Sequence, residues 1–155
     1  MIDLATILRP DAVKALHGVT SKKRLFQEIA DVASSISGVE LTDICSALQE
    51  RENLGPTGVG HGIALPHARL AGITSVFGVF IRLEKPLDFD SVDRQPVDLA
   101  FALLAPEDAG VEHLKALALV SRTMRDTNVC GKLRANNNPA TLHTILTERQ
   151  NVQAA

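Results

Sequence analysis

The chain of 155 residues predicts an α/β fold, a small mixed β-sheet flanked by helices on both sides. Three observations lead there. Segments with apolar residues at helical spacing are mixed along the chain with short runs rich in Val, Ile and Phe. One of those runs, VDLAFALL (Val97–Leu104), is almost wholly apolar, which marks a central strand. With 45% hydrophobic residues the length suits one domain with a real core, which must be aliphatic because aromatics are 3% and Trp and Tyr are absent.

Taken in order, Met1–Leu8 is a short amphipathic piece ended by Pro10, and AVKAL (Ala12–Leu16) suits a strand better than a helical turn. Thr20 and Ser21 offer N-cap hydroxyls to KKRLFQEIADVASSI, where Leu25, Ile29, Val32 and Ile36 recur at helical spacing until Gly38. Leu41, Ile44, Cys45 and Leu48 mark a second helix closing near Arg51. A glycine-rich open loop follows, then a short buried strand, Ile63–Leu65, leading into Pro66-His67. Ser75–Leu83 reads as a strand, KPLDFDSVDRQP as a polar turn region, and Val97–Leu104 as the central strand. After the break at Pro106–Gly110, HLKALALVSRTMR forms a third helix, Val129–Ala135 a fourth, and Asn138-Pro139 opens a last one reaching Glu148. Residues 1–150 are expected as a single domain and 151–155 as a loose tail.

Composition excludes several classes of function. A net charge of −2 without a long basic run, and the scarcity of aromatics, argue against nucleic-acid binding. MIDLATILRP lacks a basic start before an apolar signal core, and no apolar run approaches spanning length, so a cytoplasmic protein without membrane insertion is expected. Cys45 and Cys130 lie outside any CxxC and read as reduced thiols packed on helices.

The most informative stretch is GPTGVGHGIALPHAR, Gly55–Arg69, with four glycines, two histidines and a proline directly before the second histidine. Glycines so placed mean backbone brought close to something, and Pro66 holds its predecessor extended. The loop is not a P-loop, because His61 and Gly62 stand where a Lys and Ser/Thr are needed and the loop precedes a strand rather than a helix. G-x-G-x-G is not the dinucleotide fingerprint. No carboxylate stands at an H-x-x-E-H or H-E-x-x-H offset from His61, His67 or His113, so no metal is expected, and no G-x-S-x-G elbow is present. What remains is an imidazole, His67, set beside Arg51, Thr57 and the loop amides, which are parts for holding an anion next to a nucleophilic nitrogen. Arg51 has a second reading as a helix-terminal cation facing the macrodipole.

RENLGPTGVGHGIALPHARL resembles the active-site signature of the enzyme IIA family of the bacterial phosphoenolpyruvate-dependent phosphotransferase system, mannitol/fructose type. FDSVDRQPVDLAFALLAPED resembles that family's strand–turn–strand segment and EHLKALALVSR the helix after it, so the likeness runs from the SKKR helix to the final helix. The single-domain form is most similar to the nitrogen-related branch, whose members act as regulators. The resemblance implies the family's fold and assigns three residues. His67 is the phosphoryl acceptor, through Nε2, with Nδ1 held by a local hydrogen bond. His113 is the second active-site histidine, bonding the phosphoryl group or steadying His67. Arg51 neutralises phosphoryl oxygens. His61 falls where the family varies, and His17 and His143 match nothing in it.

No cofactor is implied. The implied donor is an HPr-like phosphocarrier protein, and the implied targets are regulatory proteins such as sensor kinases or potassium transporters. Leu65, Leu70 and Ile73 are expected to supply apolar docking contacts around His67. One alternative is a sugar-transport enzyme IIA passing phosphate to a IIB domain for fructose or mannitol uptake. A second, outside the family, is a non-catalytic ligand-sensing module that uses the glycine loop as a cradle.

Overall fold

The computed structural model describes residues 3–154, so Met1 and Ile2 of the first amphipathic piece lie outside it. That piece contains helix α1 (Leu4–Ile7), closed by a capping box between Asp3 and Thr6. A 3-10 turn at Pro10–Ala12 leads into β1 (Val13–Leu16), the strand expected there. Helix α2 (Lys22–Ser37) is capped by the Ser21 hydroxyl, which accepts from the Arg24 amide, and ends at Gly38 in the left-handed region. Its buried face is Leu25, Phe26, Ile29, Ala30 and Ala33. Val32 and Ile36 of the expected stripe are only partly buried.

Helix α3 (Leu41–Leu54) runs a turn past the expected end near Arg51. The glycine-rich segment is not an open loop. It forms β2 (Gly58–Gly60), which pairs antiparallel with β3 (Ile63–Ala64), and His67 opens a strand that the sequence did not announce, β4 (His67–Leu70). Strand β5 (Phe77–Leu87) and β6 (Val97–Pro106) form the antiparallel centre of the sheet. Helices α4 (Val111–Met124), α5 (Thr127–Arg134) and α6 (Pro139–Ala154) complete the chain. The last helix passes the expected end at Glu148 and continues through most of the segment expected to be a loose tail.

The sheet order is β1-β5-β6-β3-β2, with β4 also on β6. It is mixed: β1 is parallel to β5, and β3 and β4 are both parallel to β6. Strands β3 and β4 meet β6 in one continuous register, Ile63 opposite Leu99 and His67 opposite Leu103. They are one strand interrupted at Leu65-Pro66, where proline has no N–H to give. The Pro66 carbonyl still accepts from Leu103, so the interruption costs one donor and leaves the register intact.

Side chains alternate across the two central strands. Val79, Ile81, Ala100 and Ala102 face the α2–α3 layer, and Phe80, Leu99, Phe101 and Leu103 face the layer of α1, α4, α5 and α6. The expected fold, with helices on both sides of a small mixed sheet, is the one observed. Gly78 lies opposite Leu103 and against the Phe101 ring: a Cβ there would meet the ring at 2.6 Å, so the packing of β5 on β6 fixes glycine at that position.

Candidate active site

His67 opens β4 at the edge of the sheet, immediately after Pro66. Its Nδ1 lies 2.8 Å from the Leu65 carbonyl oxygen. A carbonyl can only accept, so Nδ1 carries the proton and Nε2 carries the lone pair. The local hydrogen bond expected at Nδ1 is therefore present, supplied by the backbone two residues upstream. Burial lowers the His67 pKa; the Leu65 carbonyl opposes this, and the charges of Arg51 and Arg69 add to it. These effects together favour the neutral ring.

The imidazole faces an open cleft of about 780 Å³. The C-terminal half of α3 forms one wall (Ala47, Glu50, Arg51, Leu54), the first turns of α4 the other (His113, Leu114, Leu117), and His67, Ala68 and Arg69 of β4 the floor. His113 thus shares the cleft with His67, with ring centroids 5.7 Å apart and planes inclined by 67°. Its position in the first turn of α4 follows from the helix starting at Val111, two residues earlier than expected. His113 is 3% exposed. Burial, then the proximity of His67 and Arg69, pushes its pKa down to about 4.

Arg69 was not singled out from the sequence. Its Nε donates to His113 Nδ1 at 3.1 Å, so the His113 proton must sit on Nε2. That N–H is buried and has no partner. A buried donor without an acceptor costs roughly 1–3 kcal/mol, and here it belongs to a ring that lines the cleft together with His67.

Arg51 lines the same cleft, with its Nη1 donating to the Gly55 carbonyl at 2.9 Å. Its bond closes the C-terminus of α3, and its charge lies near enough to His67 to help lower that ring's pKa.

Two expectations are corrected. Thr57 does not turn its donors to the cleft. Its amide and hydroxyl both bind the buried Glu52 carboxylate, at 3.0 Å (amide to Oε2) and 2.6 Å (hydroxyl to Oε1), and Lys22 completes that carboxylate at 2.9 Å. Gly58 and Gly62 do not open toward a ligand either. A Cβ on Gly58 would collide with Ser91, and one on Gly62, at φ +80°, with Arg134 and Asp98. The close approach they permit is to the protein's own side chains. Second, Leu65, Leu70 and Ile73 are buried at 8%, 8% and 5% exposure, all within the core. The apolar groups that rim the cleft are Leu54 and Leu114, exposed by 85% and 61%.

The remaining histidines lie elsewhere. His61 takes φ +56° in the β2–β3 turn, where its amide donates to Asp93. His143 Nε2 bonds the Leu8 carbonyl, and His17 is exposed. Among the described residues no three His, Cys, Asp or Glu side chains gather at metal-ligand distance, and no helix is long and apolar enough to cross a membrane.

The same family and fold appear among known proteins. The family model described as "Phosphoenolpyruvate-dependent sugar phosphotransferase system, EIIA 2" matches residues 6–149. A nitrogen regulatory protein of Bradyrhizobium diazoefficiens is 43% identical over 92% of this chain and 94% of its own. The crystal structure of the nitrogen regulatory protein IIA-Ntr from Neisseria meningitidis superposes with a TM-score of 0.84 at 37% identity, covering 92% of this chain and 97% of that one. A fructose-specific EIIA component from Haloferax volcanii is 31% identical over 94% of this chain and 96% of its own. The chain belongs to the enzyme IIA family, type 2, of the phosphoenolpyruvate-dependent sugar phosphotransferase system.

Proposed function

We propose that this protein is a phosphohistidine carrier of the nitrogen-regulatory kind, taking a phosphoryl group on His67 Nε2 from an HPr-like phosphocarrier. The observation that carries the proposal is the 2.8 Å bond from His67 Nδ1 to the Leu65 carbonyl, which leaves Nε2 as the one nucleophilic nitrogen on the cleft floor. The Nε2 lone pair attacks the phosphorus of the donor's phosphohistidine as the donor's P–N bond breaks, and the bonding pair returns to the donor imidazole. The product ring retains its Nδ1 proton and gains positive charge, which the Leu65 carbonyl dipole stabilises. A cationic ring is also a good leaving group, so the same geometry serves onward transfer.

His113 Nε2–H and the Arg51 guanidinium are the donors for the phosphoryl oxygens, and the first turn of α4 favours negative charge near His113. Donor and acceptor are both phosphohistidines of similar potential, so positioning and charge complementarity supply the catalysis. The exposed Leu54 and Leu114, one on each wall, are the apolar contacts for a carrier that must reach the cleft floor. Phosphorylation adds phosphoryl oxygens carrying about two negative charges, offset in part by the positive charge the ring gains, and the net negative charge changes which regulatory targets that face can meet. Sensor kinases and potassium transporters are the target classes we infer.

With phosphoenolpyruvate, enzyme I and the carrier, wild type gains one acid-labile phosphoryl group and His67→Ala gains none. A labelled His67→Ala defeats the site assignment. The likeness to the fructose-specific component supports a second reading, sugar transport. It predicts rapid onward transfer to a fructose or mannitol IIB domain, which the regulatory reading does not.

A further inference from the structure

We propose that Arg69 is a positioning residue for phosphoryl transfer: by donating from Nε to His113 Nδ1 it locks the second histidine in the Nε2–H tautomer that the transferring group needs. The inference rests on His67 as phosphoryl acceptor. A neutral imidazole has one donor and one acceptor, and in water the two tautomers interchange freely. In the wrong tautomer His113 would turn a lone pair toward an oxyanion. The rest of the pocket does nothing to prevent this, since His113 Nε2 has no partner of its own and the Arg69 bond is the one hydrogen bond its ring makes among the described residues. A guanidinium suits the task because it has donors and no acceptor, so it can only leave Nδ1 unprotonated.

The arrangement follows from the strand. His67 and Arg69 are two residues apart on β4 and so project to the same side of the sheet. One side chain presents the nucleophile, and the other reaches across to α4 and orients the donor. The exposed placement of Arg69 keeps its charge solvated, which separates its role from that of a buried ion pair.

The test reads the tautomer directly, by 15N NMR of the imidazole nitrogens in the unphosphorylated protein. Wild type should show His113 with a protonated Nε2 and a bare Nδ1. Arg69→Met should move His113 to a mixture or to the Nδ1–H form, while Arg69→Lys, which keeps a donor and no acceptor, should restore much of the wild-type signature. Phosphoryl transfer to His67 should fall roughly tenfold in Arg69→Met, less than the 10²–10³ expected for deleting a charge-stabilising donor outright. In a His113→Ala background the same substitution should change the rate less than twofold. An unchanged His113 tautomer in Arg69→Met overturns the proposal, as does a tenfold loss that persists without His113, which would make Arg69 a direct phosphoryl ligand. If wild type takes no phosphoryl group at His67, the functional reading fails, while the tautomer measurement still decides the lock.

Discussion

Because a carbonyl oxygen has no proton to give, the contact between Leu65 and His67 decides which imidazole nitrogen can act. The same reasoning, run through a guanidinium, decides the proton position on His113. Two neighbouring histidines are thereby given opposite tautomers, one with a bare Nε2 and the other with a protonated one. Such a pair works only while both rings stay neutral, and burial does this: it lowers the pKa of each, that of His113 to about 4. A folded-state value below the ordinary 6.5 means the unfolded chain binds more protons in between. His113 therefore favours the fold fully above about pH 6.5, and this contribution is lost as pH falls toward 4. Urea midpoints should drop across that window in wild type and change less in His113→Gln. Carboxylates whose pKa the fold depresses, such as Asp93 from its ordinary 3.8, act at lower pH and do not mimic this effect. A His113 that titrates near 6.5 by NMR would contradict the account.

At the scale of elements, the site depends on how α3 is tied to the strand after it. The Glu52 carboxylate, in the last turn of α3, gathers the Thr57 amide and hydroxyl and the Lys22 ammonium, which also sits 4.4 Å above the Phe89 ring. Glu52→Ala leaves those donors unanswered in a buried setting and should cost about 1–3 kcal/mol in urea denaturation. It should also slow phosphoryl transfer, because Arg51 lies on the same turn. An unchanged midpoint would remove Glu52 from this role. The helices and the central strands were legible in the sequence because period and capping carry them: Ser21, Gly38 and the apolar run Val97–Leu104 each mark their element in one residue type or pattern. His67, His113 and Arg51 were expected as a set from a resemblance to a family, and all three line one cleft. Strands β2 and β4 were not, because three- and four-residue strands at a sheet edge have too few residues for alternation to show, and glycine is a poor strand signal. Arg69 was missed for a different reason. Its partner lies 44 residues away on another element, and an arginine two places after a histidine announces nothing until the strand is known. The docking leucines were misplaced for the same cause: whether Leu65 or Leu54 faces solvent is settled by tertiary packing, not by local pattern.

For the whole molecule, the sheet divides the core in two, and the cleft opens where α3, from one layer, approaches α4, from the other, across the edge strand β4. A site made where two layers meet is wide enough for a protein partner, and its exposed leucines are the groups such a partner would cover. Leu54→Ser and Leu114→Ser should each weaken productive docking by about 1–2 kcal/mol, roughly a five- to thirtyfold rise in KM for the phosphorylated carrier, with kcat and thermal stability unchanged. A fall in kcat without a change in KM would place them in chemistry instead. The central claim is that one nitrogen of one ring takes the phosphoryl group. It is tested most directly by 15N and 31P NMR of the protein after phosphorylation by the carrier. The account predicts a single phosphoramidate on His67 Nε2, with Nδ1 still protonated and hydrogen-bonded. A phosphoryl group on His67 Nδ1, or on any other residue, would contradict it.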